Sequence, residues 1–171
     1  PAATPGEIAT IICQTYVSAA DTRDAFVASG AMDDVYPHGV GTPWPTLREM
    51  ITGGHRLVVF TDTDGGSYPW YLDEFTNLWE NPYTAMTTAD FTCNVNRGSA
   101  TLPLFVLNHF LGRPLADPAL AEEANHDPVL IDHAHRCMTE SGRFPNFVTV
   151  DWYSIGDLFA AVDSLNGVAK P

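Results

Sequence analysis

Lysine is nearly missing from this chain. Lys170 is the only one, and Lys and Arg together number 8 against 21 Asp and Glu, a formal net charge of −13. A surface so acidic repels a phosphate backbone and anionic lipid headgroups alike. Nucleic acid is therefore not expected as a partner, nor is stable electrostatic docking on a membrane. Long apolar runs are missing too, and none approaches the roughly 20 residues that a membrane-spanning helix needs. No Asn-x-Ser/Thr acceptor occurs. The chain opens on Pro1 and not on Met, which leads us to expect a processed, trimmed or cleaved product. Cysteine is sparse and odd in number: Cys13, Cys93 and Cys137. That count fits a reduced chain, one pair plus a leftover, or a partner on another segment. Cys93–Cys137 is the pair taken forward, with three buried thiols as the alternative.

What is present suits one domain with a proper core. The 171 residues are 45% hydrophobic and 17% charged, an ordinary globular balance. Phe144 to Tyr153 carries the clearest signal. Phe147 to Val150 is apolar and β-branched, then breaks into Asp151, Trp152 and Tyr153. Leu158, Phe159, Val162 and Leu165 follow at helical spacing, with Asn166-Gly167 as a stop. This is a buried strand, polar at its carboxyl end, feeding a helix.

The same pattern recurs along the chain. Ile8–Thr15 is apolar up to Gln14. Arg56–Asp64 turns polar at Thr61, Asp62 and Asp64. Leu104–His109 stops at Asn108 and His109. Phe91–Arg97 alternates weakly and ends in Asn94, Asn96 and Arg97. Helices are expected between these strands. Ser18 and Asp21 have capping-box spacing ahead of a helix that Gly30 ends, and Thr46–Glu49 is a second box ahead of Gly53-Gly54. Asp117-Pro118 and Asp127-Pro128 each open a helix, with Asp as cap and Pro at the first helical position. Gly65 to Tyr83 is a long aromatic-rich connection. Strands alternating with helices mean an α/β fold with a mostly parallel sheet. Two architectures fit: a small doubly wound sandwich, or part of a (β/α)8 barrel, which five strands cannot close. A doubly wound nucleotide-type domain would carry a Gly-rich loop after its first strand, and Gln14 to Ala20 contains no glycine.

Four stretches, in order, resemble the C-terminal half of the phosphatidylinositol-specific phospholipase C-like phosphodiesterases of the X-domain type, especially secreted fungal and bacterial members. They are Trp44-Pro-Thr-Leu-Arg-Glu-Met-Ile51 with His55-Arg-Leu-Val-Val-Phe60, Asn96-Arg-Gly98, Leu104-Phe-Val-Leu-Asn-His-Phe110, and Pro145-Asn-Phe-Val-Thr-Val-Asp151. The resemblance implies the C-terminal portion, strands 4 to 8, of an irregular TIM (β/α)8 barrel. It places Ile8–Gln14 as strand 4, Leu57–Asp62 as strand 5, Phe91–Asn96 as strand 6, Leu104–His109 as strand 7 and Phe147–Asp151 as strand 8. Such a family uses two histidines from strands 1 to 3 as general base and general acid on a phosphodiester. Residues 1–171 then form the C-terminal half, inactive alone, whose partner is the N-terminal half of the same protein. The substrate is a small-molecule or lipid-headgroup phosphodiester. Secretion is expected from the resemblance and from the acidic, lysine-poor composition.

The resemblance implies that Asp151 holds the base histidine in its working tautomer, as Asp does in a Ser-His-Asp triad. The plainer reading is a helix cap or a structural salt bridge. Gln14 stands near the place where calcium-dependent relatives carry a Glu. An amide is a poor ligand for a hard cation, so no cofactor is expected and calcium is not supported by this half. Gln14 either hydrogen-bonds a substrate hydroxyl or is a polar strand end. Thr61 and Asp62 occupy positions where phosphoinositide-specific relatives place basic residues, which argues against a polyphosphorylated headgroup. Asp62 could bind sugar hydroxyls or a metal, or belong to a solvated turn. Asn94, Asn96 and Arg97 are candidate substrate contacts, with Arg97 the cation for the diester or a partner for a buried carboxylate. Asn108 and His109 are further candidates, His109 either as a participant or as a structural histidine. Trp152 and Tyr153 form an aromatic wall for a sugar ring or acyl chain, or pack in the core. Three other functions stay open: a non-catalytic binding barrel, a self-contained doubly wound domain that binds a small ligand at its strand ends, and a carbohydrate hydrolase with Asp62 and Asp151 across a cleft.

Overall fold

The computed structural model describes residues 6–112, 115 and 117–168, so Pro1 and Lys170 lie outside the described residues. The chain divides into two units, residues 1–77 and 78–171. Each is built on three parallel strands, where the sequence pointed to a single sheet.

The first unit runs β1 (Ala9–Cys13), α1 (Ala19–Ser29), α2 (Leu47–Gly53), β2 (Leu57–Thr61), β3 (Tyr71–Asp73) and a single turn, α3 (Glu74–Asn77). Its sheet has the order β1-β2-β3, with Ala9 opposite Leu57 and Val59 opposite Tyr71. The helix signals act as the sequence suggested. Ser18 caps α1 by accepting from the Asp21 N–H, and Gly30 closes it in the left-handed conformation. Thr46 and Glu49 form a reciprocal capping box on α2. Every residue of the central strand β2 is buried, as a parallel strand covered on both faces requires. Val35, Leu57, Val59, Trp70 and Tyr71 make its core, with the Phe26 and Trp70 rings 4.8 Å apart.

β1 is different. Ile11 is 40% exposed and Ile12 38%. Successive strand residues point to opposite faces, so both faces of β1 are partly exposed, although Cys13 packs against the first unit's core. Among the described residues it pairs with β2 alone, and no other strand lies on its second edge.

The second unit runs β4 (Leu78–Glu80), β5 (Leu104–Asn108), α4 (Pro118–Ala124), α5 (Val129–Ser141), β6 (Phe147–Thr149) and α6 (Leu158–Leu165), in sheet order β4-β5-β6. Leu78 faces Leu104, and Asn108 faces Thr149. The Trp79 and Phe105 rings stack 3.9 Å apart and are fully buried among Leu107, Ala134 and Cys137. Cys93 and Cys137 are joined in a disulfide that fastens the 91–97 segment to α5.

Three expectations need correction here. Phe91–Asn96 is not a strand. Its end folds back on β4, where the Asn96 N–H donates to the Glu80 carbonyl and the Glu80 N–H to Arg97. The strand beside β5 is β4, and β3 is a further strand inside the aromatic-rich connection. Asp117 caps α4 with Pro118 at its first position, but α5 starts one residue later than expected. Pro128 is its cap residue, and the Asp127–Pro128 bond is cis.

Candidate functional site

In the second unit the carboxyl ends of the strands are bound together by one carboxylate. Glu80 ends β4 and is 3% exposed. A buried carboxylate is tolerable only with donors around it. Its Oε1 accepts from Arg97 Nε at 2.6 Å and Asn96 Nδ2 at 2.9 Å, and its Oε2 from Asn108 Nδ2 at 3.0 Å. Asn108, at the end of β5, also donates to the Asn81 carbonyl at 2.9 Å and accepts from the Thr149 hydroxyl at 2.9 Å. Both of its amide hydrogens are therefore engaged. Asn108 organises the strand ends and does not offer a donor to substrate. Asn96 is likewise directed at Glu80, whereas Asn94 is exposed.

Arg97 was the expected cation for a diester. Glu80 takes its Nε, and its guanidinium carbon lies 5.0 Å from the Tyr83 ring centroid. Its charge is matched inside the unit, so the structure favours the carboxylate-partner reading. Glu80 itself was not anticipated. Its sequence sign was Leu78-Trp79 followed by Glu80-Asn81, an apolar body with a polar tip that was too short to stand out.

His109 is fully buried. Its Nδ1 lies 2.8 Å from His133 Nδ1, its Nε2 lies 2.9 Å from the Ala124 carbonyl, and Phe91 stacks on both rings. Burial pulls its pKa down to about 4. Burial, and then the neighbouring His109, pull His133 down to about 3. His109 is thus buried with a partner at each ring nitrogen, the setting of a structural histidine.

Asp151 follows β6 and is half-buried, and burial raises its carboxyl pKa. Its carboxylate makes no hydrogen bond among the described residues. Its backbone carbonyl accepts from Asn125 Nδ2 at 2.8 Å. Asn125, itself fully buried, also reaches the Ile155 carbonyl at 3.2 Å and accepts from the Asp157 N–H at 2.8 Å. Gly156 passes so close that a Cβ there would collide with the Asn125 carbonyl. Asn125 therefore fixes the turn 151–157, and Asp151 does not cap α6, which begins only at Leu158. Trp152 adopts a left-handed φ of 49° and is 39% exposed, and Tyr153 is 66% exposed, edge-on to Phe159. Both aromatics are on the surface and not in the core.

In the first unit the strand ends carry carboxylates and hydroxyls. Asp62 Oδ1 accepts from the Thr15 N–H at 2.9 Å, and the Thr15 hydroxyl lies 2.7 Å from that of Thr61 and 3.2 Å from Tyr71. Asp62 thus ties the end of β1 to the end of β2. Gln14 is exposed, and Glu74, just after β3, is buried. Burial pushes the Cys13 thiol pKa up, assisted by the charges of Asp62 and Glu74. No lysine or arginine occurs between Arg56 and Arg97, so the segments leaving β2 and β3 bring no cation for ring phosphates.

The family model described as PI-PLC X matches residues 3–166. A protein of Arthroderma benhamiae described as an uncharacterized secreted protein is 32% identical over 160 residues, covering 79% of this chain and 36% of its own length. A PI-PLC X domain-containing protein from the same organism is 32% identical over 138 residues, covering 73% of this chain and 45% of its own. A PI-PLC X domain-containing protein of Arabidopsis thaliana is 29% identical, covering 95% and 41%. The chain therefore spans less than half the length of each of these relatives. No solved structure matches it. With strand tips that turn polar in both units and a family match over nearly the whole chain, this protein belongs to the PI-PLC X family.

Proposed function

We propose that the chain is the C-terminal part of a secreted phosphodiesterase barrel that acts on a phosphoinositide-like or glycerophosphodiester-like substrate. An N-terminal part carrying strands 1 to 3 supplies the two histidines of the acid–base pair. One deprotonates the attacking hydroxyl and the other protonates the leaving alcohol. Asp151 holds and stabilises the base.

The state of Asp151 carries this reading. A half-buried carboxylate with a raised pKa and no hydrogen-bond partner among the described residues is uncompensated. An imidazolium brought against it would lower that pKa and gain in stability by the same linkage. Its placement after β6, on a turn fixed by Asn125, suits a group that must orient another ring. The partly exposed faces and unpaired second edge of β1 support the need for further strands. Secretion is supported by the relative described as secreted and by the disulfide. The exposed Trp152 and Tyr153 are suited to a sugar ring or acyl chain beside Asp151, and Gln14 and Asp62 to substrate hydroxyls.

The test is Asp151→Asn in the full-length protein, assayed on phosphatidylinositol and on a soluble glycerophosphodiester. Turnover should fall by about 10³–10⁴-fold, as when a triad carboxylate becomes an amide, with the melting temperature kept. Unchanged turnover would refute the assigned role.

A further inference from the structure

In the first unit the loop after β2, the end of β3 and the segment around His38 border a cavity of about 370 Å³. That volume lies within the range of small-ligand pockets, about 300–1,000 Å³. Its walls are tied by the backbone. The His38 N–H donates to the Pro69 carbonyl at 3.0 Å, and the Gly66 N–H to the Tyr71 carbonyl at 2.7 Å. Gly65 lies so near Asp73 that a Cβ there would meet the Asp73 backbone.

His38 lines this cavity and is only 7% exposed. The Trp44 ring stacks on it at 3.9 Å, which fixes the plane of the imidazole. Its Nδ1 is buried without a hydrogen-bond partner, and no bond to its Nε2 occurs among the described residues. Burial holds the ring's pKa below its ordinary value, so at neutral pH it carries one N–H and one lone pair. A buried ring left unpaired is unfavourable unless something else uses it. A hydroxyl group suits it whichever nitrogen holds the proton, because a hydroxyl both donates and accepts.

The rest of the lining asks for the same chemistry. Asp73 Oδ1 accepts from the Thr76 N–H at 2.8 Å, and Asn77 Nδ2 donates to the Asp73 carbonyl at 2.8 Å and to the Thr76 hydroxyl at 3.4 Å. The donors are thus engaged. Asp73 Oδ2 and Asn77 Oδ1 accept nothing among the described residues. Among the described residues no Lys or Arg lines the cavity, which disfavours an anion. An apolar ligand would leave these oxygens dry.

We propose that this cavity binds an uncharged sugar of hexose size. Neighbouring hydroxyls donate to Asp73 Oδ2 and Asn77 Oδ1, another exchanges a hydrogen bond with the His38 ring, and Tyr68 supplies an aromatic wall. The site lies within one unit and uses no residue of the acid–base reading, so it stands or falls separately from that reading.

The chain is titrated with D-glucose, D-mannose and D-galactose while the imidazole nitrogen resonances of His38 are followed. At least one sugar should bind at millimolar concentration and move them, and its phosphate ester should bind at least about tenfold more weakly. His38→Phe keeps a ring against Trp44 and removes both nitrogens. It should weaken the sugar about tenfold, the worth of one hydrogen bond, without lowering the melting temperature, since an unpaired buried group is gone. Asp73→Asn keeps one oxygen for the Thr76 N–H and turns the other into a donor. It should weaken the sugar similarly, and it keeps the test valid if the first variant does not fold. Unmoved His38 resonances with all three sugars, equal binding of the phosphate ester, or unchanged affinity in either folded variant would overturn the site.

Discussion

Both units carry three parallel strands with polar tips, yet they treat those tips in opposite ways. In the second unit the tips are bonded to one another through Glu80, Asn108 and Thr149, and a disulfide holds the flanking segment. In the first unit hydroxyls and Asp62 join β1 to β2 and no disulfide is formed, while β1 is partly exposed on both faces. One unit gathers its strand-end polar groups into a shared network. The other leaves Ile11 and Ile12 of one strand partly exposed. Polar networks and open strands are therefore separable requirements, each with its own mutational signature.

The largest expected effect falls on the second unit alone. Cys93→Ser with Cys137→Ser removes a crosslink spanning 44 residues. Closing a loop of that size is worth about 4 kcal/mol in the chain-entropy model. Hydrogen exchange should show protection lost across β4–β6 and kept in β2. Equal loss in β2 would break the comparison.

Glu80→Ala comes next. It strands Arg97 and Asn108 around an empty place, at a cost of about 3 kcal/mol, the low end for breaking a buried pair, because the Arg97 side chain is 41% exposed. Urea midpoints measure it. A loss below about 1 kcal/mol would show that these tips are not held by Glu80.

Acid should act mainly on the second unit as well. His109 and His133 have folded pKa values of about 4 and about 3, below the ordinary 6.5. The unfolded chain therefore binds their protons first as pH falls. Stability should decline from about pH 6.5 downward and level off only below those folded values. His38 in the first unit is also lowered by burial, so it adds in the same direction. Urea midpoints between pH 7 and 4 test this, and His109→Phe with His133→Leu should flatten the slope. An unchanged slope would exonerate the pair.

The smallest effect sharpens the contrast from the other side. Ile11→Thr and Ile12→Thr should each change the stability of this chain by less than about 0.5 kcal/mol, as at other exposed sites. In the full-length protein each should cost more than about 1 kcal/mol, because covered apolar area is then lost. The same small change in both would show that nothing covers β1.

Much of this was legible in the residues. The β-branched runs at Ile8–Cys13, Leu57–Phe60, Leu104–Leu107 and Phe147–Val150 mark four of the six strands. The caps at Ser18, Thr46 and Asp117 mark three helix starts. β3 and β4 were hidden because three residues cannot show a period, and their strand state comes from neighbours far along the chain. Phe91 and Cys93 mimic strand alternation because both are buried, although their segment bonds back to Glu80 and not to a ladder. His109 looked like a strand-end group, and its burial depends on His133, 24 residues later. Asn125 gave no sign at all, since its three bonds to the 151–157 turn exist only in three dimensions.

The bare strand β1 also governs how this polypeptide behaves in a test tube. An unpaired apolar edge is a template on which another copy can zip, and the usual guards, a lysine or a proline, are absent between Ile8 and Cys13. The restraint is the −13 charge, which keeps molecules apart through a repulsion that dissolved ions weaken. Clumping should therefore set in as salt is added, and a buffer chosen for purity could decide whether the sample stays in solution.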